Sequence, residues 1–258
     1  MNIFEAVILG AVQGITEFLP VSSSGHLVLL QRLFRITEPM LLFDTMLHAG
    51  TLAAVFAALR KDIWRLAQRP VQPLTGFLIL ATVPAVMVAL LFKPHIEAAF
   101  GSGGYLRFAF PLTSLMLFIS GILAKRVRRT KNEDTMTLLD ALIMGLFQAA
   151  ALIPGISRSG AALSAGLMRN LDRSFAARFS FLMSVPVILG ALVLQLPEGL
   201  GGGFSAVRAG PLIAGTVTAA LTGFLSVTFM LRLVQKYDLW PFALYTALLG
   251  AFLWINQH

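Results

Sequence analysis

The stretch PVSSSGH, Pro20 to His26, sits between apolar runs and breaks their helical pattern with three serines, a glycine and a histidine. At membrane depth, backbone that leaves a helix carries N–H and C=O groups that lipid cannot satisfy. Such backbone persists only where protein buries it or where it lines a wet cavity. The reading of this segment therefore turns on its surroundings.

Those surroundings are membranous. Over 258 residues the chain is 57% hydrophobic and 12% charged, with mean hydropathy +0.81, against roughly 25% charged residues in a soluble domain. Gly76–Phe92, Tyr105–Ala124 (broken only by Arg107), Pro211–Leu231 and Trp240–Ile255 approach the ~20 residues that cross a bilayer. The first apolar run lacks a basic n-region and cleavage site and contains Glu5 and Gln13, so its retention is expected. With no cysteine, disulfides, thiolate metal sites and cysteine nucleophiles are excluded. The net charge of +8 clusters beside apolar runs, which fits Lys and Arg facing anionic lipid rather than nucleic acid.

Four clusters are basic: Arg60 to Arg69, Lys125 to Lys131 (with Arg126, Arg128 and Arg129), Arg169 to Arg178, and Arg232 with Lys236. Lys93–Gly104 and Pro197–Gly210 are poor in Lys and Arg. The positive-inside rule makes the basic clusters cytoplasmic and the poor connections external. Crossings follow at about 41–59, 76–92, 105–124, 175–196, 211–231 and 240–256. Regions 3–36 and 138–170 remain, and each must begin and end on one side. Both are expected to be re-entrant helix–loop–helix hairpins. The fold class is an all-α polytopic membrane protein of six transmembrane helices plus two such hairpins.

An internal repeat supports this scheme. GAVQGITEFLPVSSSG (10–25) aligns with GLFQAAALIPGISRSG (145–160), matching Gly10 to Gly145, Gln13 to Gln148, Ser22 to Ser157, Ser24 to Ser159 and Gly25 to Gly160. FDTMLH (43–48) likewise matches FSFLMS (179–184), and TVPA (82–85) matches TVTA (216–219). The single membrane domain, 1–258, thus divides into repeat one (about 1–125), a basic cytoplasmic linker (about 125–137) and repeat two (about 138–258). Three crossings per half place the second half upside down, and such inverted repeats hold their site at the repeat interface.

The two hairpin tips carry the chemistry. Gly10, Gln13, Gly14 and Glu17 share one helical face, and a carboxylate at this depth is a functional candidate. Ser22, Ser23, Ser24 and Gly25 precede a second arm, Leu27–Leu33, as a cap with N–H groups aimed at the turn, which suits an anion. His26 opens that arm and suits proton transfer or nucleophilic attack. The second tip, PGISRSG (154–160), sets Ser157, Arg158, Ser159 and Gly160 before a helix expected over Ala161–Met168. Arg158 is costly at depth unless it meets an anion, and its planar fork fits phosphate; Glu17 is its other natural partner. Asp44 and His48, at i and i+4 on the next crossing, are second-tier candidates that shape the cavity or support the site.

Gln13-x-x-x-Glu17, PVSSSGH and PGISRSG, in this order and spacing, closely resemble the bacterial undecaprenyl-diphosphate phosphatases, or bacitracin-resistance proteins. The resemblance spans nearly the whole chain and includes FDTMLHAGTL and FSFLMSVP. It implies a multi-pass enzyme of the bacterial inner membrane, and the charge scheme above lets its site open to the outer face. The enzyme would remove the terminal phosphate of undecaprenyl diphosphate to recycle the carrier lipid of peptidoglycan synthesis. It implies a divalent cation, Mg²⁺ or Ca²⁺, with Glu17 and Gln13 on the family's acidic motif as the metal-side residues. Ser22, Ser23 and His26 fall on its serine–histidine loop, and Ser157 and Arg158 on its arginine loop. Catalysis is expected from Glu17, His26, Ser23 and Arg158, and phosphate binding from Ser22, Ser24, Gly25, Ser157, Ser159, Gly160 and Arg158. Glu17 would ligate metal or orient His26, and the attacking group is Ser23, His26 or an activated water. The partners are the polyprenyl diphosphate lipid and the bilayer, with room for a homo-oligomer. Two positions depart from the pattern: Gln13 stands where Glu is common, and Ala161 and Ala162 supply no hydroxyl where threonine often follows.

A competing class is a lipid-phosphate flippase, since inverted repeats and broken helices also mark transporters. It would need Arg158 and the serines but gains little from Glu17 beside His26.

Overall fold

The computed structural model describes residues 1–36, 40–126, 131–201 and 209–256. The expected basic residues Arg128 and Arg129, and part of the 197–210 connection, lie outside that set. Among the described residues the protein is helical: α1 (Ile3–Phe18), α2 (Ser23–Leu33), α3 (Leu41–Ala58), α4 (Arg60–Gln68), α5 (Pro73–Ser102), α6 (Leu106–Arg126), α7 (Leu138–Ala150), α8 (Arg158–Met168), α9 (Arg173–Gly201), α10 (Ala209–Lys236) and α11 (Trp240–Ile255). Five contain stretches long and apolar enough to cross a membrane: α3, α5 over Pro73–Phe92, α6 over Leu106–Ala124, α9 over Arg173–Gln195, and α10. The sixth expected crossing, α11, has only 16 residues, about 24 Å against the ~30 Å hydrocarbon core.

Both expected hairpins exist as helix pairs, α1–α2 and α7–α8, whose arms pack on each other. Their second arms begin earlier than the apolar pattern suggests. Ser22 Oγ accepts the Gly25 N–H at 3.3 Å and starts α2 at Ser23 rather than Leu27. Ser157 Oγ accepts the Gly160 N–H at 3.1 Å and starts α8 at Arg158 rather than Ala161. The serine caps, not the apolar residues, set the boundaries.

The halves interlock. α1 packs mainly on α10, and α7 on α5. Small residues permit both approaches: a Cβ on Gly10 would lie 2.3 Å from the Gly215 carbonyl oxygen, and one on Gly145 would lie 2.4 Å from that of Ala81. In a bilayer, where lipid is as apolar as leucine, such close packing is what holds helices together. Ser226 Oγ on α10 adds a hydrogen bond to the Ile15 carbonyl at 2.8 Å. The hairpin tips rest on a core in which Phe18 meets Phe181 edge-to-face at 5.4 Å.

Described members of three basic clusters, Arg65, Lys131, Arg169 and Arg178, meet through shared acidic partners. Arg65 pairs with Glu133 at 2.9 Å, Arg178 lies 3.9 Å from Asp62, and Arg173 pairs with Asp238. Asp140, fully buried in the first turn of α7, takes Lys131 at 2.8 Å and Arg169 at 2.7 Å. Burial alone would raise its pKa, but Lys131, Thr137 and Arg169 together hold its carboxyl below the ordinary value.

Candidate active site

The tips of α1–α2 and α7–α8 meet at Glu17. This carboxylate is 5% exposed at the end of α1. Oε2 accepts Ser23 Oγ at 2.5 Å and Gln13 Nε2 at 2.9 Å, while Oε1 accepts Arg158 Nη2. Ser23 and Arg158 are equivalent positions of the repeat, so one carboxylate gathers the matching residue from each tip. Removing one partner from such a buried pair costs roughly 3–5 kcal/mol, because the other charge stays buried.

The backbone joins the tips as well. Ser24 Oγ accepts the Gly155 N–H at 3.1 Å, and Ser159 Oγ donates to the Leu19 carbonyl at 3.1 Å. The asymmetry follows from Pro20, which stands opposite Gly155 in the repeat and has no N–H to offer. Gly155 adopts φ +86, which glycine takes without strain. Ser22 adopts φ +73 with a side chain, a conformation costing of order 1–2 kcal/mol. That turn lets its hydroxyl cap Gly25 while its carbonyl faces His26.

Most of the expected phosphate-binding groups already serve the scaffold. Ser22, Gly25, Ser157 and Gly160 are joined in the two caps, and Ser24 and Ser159 bridge the tips. Ser157 N–H is further taken by Thr113 Oγ1 on α6 at 3.1 Å. Ser23 and Arg158 are the two tip side chains aimed at Glu17.

The two histidines depart from expectation. His26 does not meet Glu17: its Nδ1 lies 2.6 Å from the Ser22 carbonyl and its Nε2 2.7 Å from Tyr245 Oη on α11. His26 lies one turn beyond Ser23 on the same side of α2, and its ring is held instead by the Ser22 carbonyl and Tyr245. His48 takes the expected place, with Nε2 3.8 Å from Glu17 Oε2 and Nδ1 2.7 Å from the Asp44 carbonyl. Asp44 itself accepts Gln31 Nε2 at 2.8 Å. The second-tier pair thus supplies one neighbour of the central carboxylate. Sequence reasoning missed Tyr245 on α11 and Thr113 on α6, apolar helices with no motif around these residues.

Gln13 Oε1 is buried with no hydrogen-bond partner. Among the described residues, no three His, Cys, Asp or Glu side chains converge. Ala161 and Ala162, which supply no hydroxyl, are fully buried in packed core.

The family model described as bacitracin resistance protein BacA matches residues 6–252. An undecaprenyl-diphosphatase 3 of Bacillus cereus is 43% identical over 257 residues, covering 100% of this chain and 98% of its own length. An undecaprenyl-diphosphatase of Carboxydothermus hydrogenoformans is 42% identical over 259 residues, with the same coverage. One from Rubrobacter xylanophilus is 40% identical over 266 residues, covering 97% of each chain. The match runs through both tips and the helices that brace them, and the chain belongs to the bacitracin resistance protein BacA family.

Proposed function

We propose that this chain is an integral membrane phosphatase that hydrolyses undecaprenyl diphosphate to undecaprenyl phosphate and inorganic phosphate, returning the carrier lipid to wall synthesis. The observation that carries the reading is Glu17 bridging Ser23 and Arg158, a hydroxyl and a guanidinium held on one buried carboxylate. Arriving diphosphate takes the Arg158 fork, which matches phosphate oxygens two at a time. Glu17, released from Arg158, then accepts the proton of Ser23 or of a water in its place. Arg158 stabilises charge on the transferring phosphoryl group, where positioning and electrostatics carry most of the catalysis. His26 is proposed as a second proton-handling group beside the same tip. A lipid carrier without chemistry would gain little from a carboxylate that holds a hydroxyl.

The residues fit a divalent ion in one way. Gln13, whose Nε2 donates to Glu17, keeps a buried Oε1 with no partner, and Glu17 with that oxygen would hold an ion that takes few protein ligands and the rest from the diphosphate. Bound there, the ion would neutralise phosphate charge.

We further propose six crossings with two re-entrant hairpins as an inverted repeat in the bacterial plasma membrane, the site opening outward. Reciprocal packing of α1 on α10 and α7 on α5 supports the repeat. Meeting of described residues from three basic clusters supports the orientation.

The test is phosphate release from undecaprenyl diphosphate by purified protein, with Mg²⁺ or with chelator, beside Glu17→Gln, His26→Ala and Arg158→Ala. Metal-dependent release, lost in the Glu17 and Arg158 variants and reduced in His26→Ala, is expected. Tight binding of the lipid without phosphate release, in folded protein, would sink the phosphatase reading.

A further inference from the structure

We infer that Tyr245 is a positioning residue that fixes the tautomer of His26 and covers its basic nitrogen until substrate arrives. The Ser22 carbonyl can only accept, so His26 Nδ1, 2.6 Å away, carries the ring proton. Neutral imidazole then has its lone pair on Nε2, where Tyr245 Oη sits 2.7 Å away and donates. The Tyr245 and His26 rings also lie 9° from parallel with centroids 5.7 Å apart, and Phe110 meets the histidine edge-on at 5.5 Å. Ring plane, tautomer and the direction of the lone pair are therefore all set by neighbours.

The strained Ser22 gives this arrangement its cause. With φ +73 its carbonyl turns toward the histidine and accepts from both the His26 backbone N–H, at 3.3 Å, and Nδ1. Tyr245 comes from α11, at the far end of the chain, and remains 45% exposed. It can swing off His26 without disturbing buried packing. In the free protein Nε2 is occupied, and a phosphate oxygen or attacking group must displace the tyrosine hydroxyl to use it. The hydroxyl keeps His26 aligned and idle between turnovers.

This inference rests on the proposed role of His26, and its primary test does not. Protein carrying ¹⁵N-labelled histidine is compared as wild type, Tyr245→Phe and Tyr245→Ala, with His26→Asn assigning the signal. Wild type is expected to show a protonated Nδ1 and a hydrogen-bonded Nε2 lone pair. Tyr245→Phe should shift the Nε2 signal to that of a free lone pair and admit the other tautomer. On phosphate release, one lost hydrogen bond corresponds to roughly a fivefold change in kcat, with KM nearly constant; Tyr245→Ala, which also removes the ring, should lose more. A protonated Nε2 in wild type, or identical histidine spectra in wild type and Tyr245→Phe, overturns the inference. So does unchanged kcat in Tyr245→Phe beside a large loss in Tyr245→Ala, since the ring alone would then matter. If His26→Asn retains full phosphate release while the spectra behave as expected, the role of His26 fails and the positioning by Tyr245 stands.

Discussion

Gly10 in the first hairpin and Gly145 in the second hold equal places, and each presses against a backbone carbonyl of the opposite half. Ser22 and Ser157 cap the two second arms, and Asn2 and Thr137 begin the two first arms with the same reciprocal cap. Past these matches the hairpins part: Leu152 stands where the first has Glu17, Arg158 where it has Ser23, and Ala161 where it has His26. Scaffold residues agree across the repeat while reactive residues do not. A diphosphate needs a cation from one side and proton chemistry from the other, and two identical tips would supply one without the other.

The strongest way to break this comparison is to make the tips alike. Glu17→Leu, which copies the second hairpin, should lower phosphate release by roughly 10²–10³-fold, and adding Leu152→Glu should not restore it. Restoration would mean that the tips are interchangeable. Arg158→Lys keeps the charge and loses the fork, and should cost about 10–100-fold in kcat/KM; near-normal turnover would refute two-point phosphate binding. The scaffold should behave in the opposite way. Gly10→Ala and Gly145→Ala each drive a Cβ into backbone, and each should destabilise by about 1–3 kcal/mol in thermal unfolding in detergent. Gly121→Ala, which meets open space, should be near neutral. Unequal effects at the twin glycines would limit the repeat to sequence.

A subtler contrast lies in the caps. Glu5 closes its capping box in the open, whereas Asp140 is buried between Lys131 and Arg169. Because the folded carboxyl of Asp140 is held below its ordinary 3.8, it stabilises the fold above that pH. The contribution fades as pH falls through the lowered folded value. The melting difference between wild type and Asp140→Asn should therefore be steady near neutrality and shrink in acid. Glu5→Gln should change melting only slightly at any pH.

How much of this was legible depended on chain distance. Five long apolar helices followed from apolar length, and the helix pairs α1–α2 and α7–α8 from the aligned motifs, since both signals are local or periodic. Glu17 and Arg158 were natural partners because each is too costly alone at depth. The histidines were not legible. Which histidine reaches Glu17 depends on what holds each ring, and the partners of His26, the Ser22 carbonyl and distant Tyr245, carry no local signal. Tyr245 is one aromatic in an apolar helix, indistinguishable there from a packing residue. The apolar run of α11 reads as a span in sequence, while its helix holds 16 residues, fewer than the five longer ones.

The exchange of helices between halves sets an order on biogenesis. α1 ends at Phe18, yet α10, the helix it packs on, begins at Ala209. At ~5–20 residues per second, the ribosome needs roughly 10–40 s to supply that partner. Until then Gln13 and Glu17 lack their final cover, and the arginine that neutralises Glu17 is itself late in the chain. The nascent first half must wait for both, and a ribosome stalled before α8 leaves the Glu17 carboxylate without its arginine.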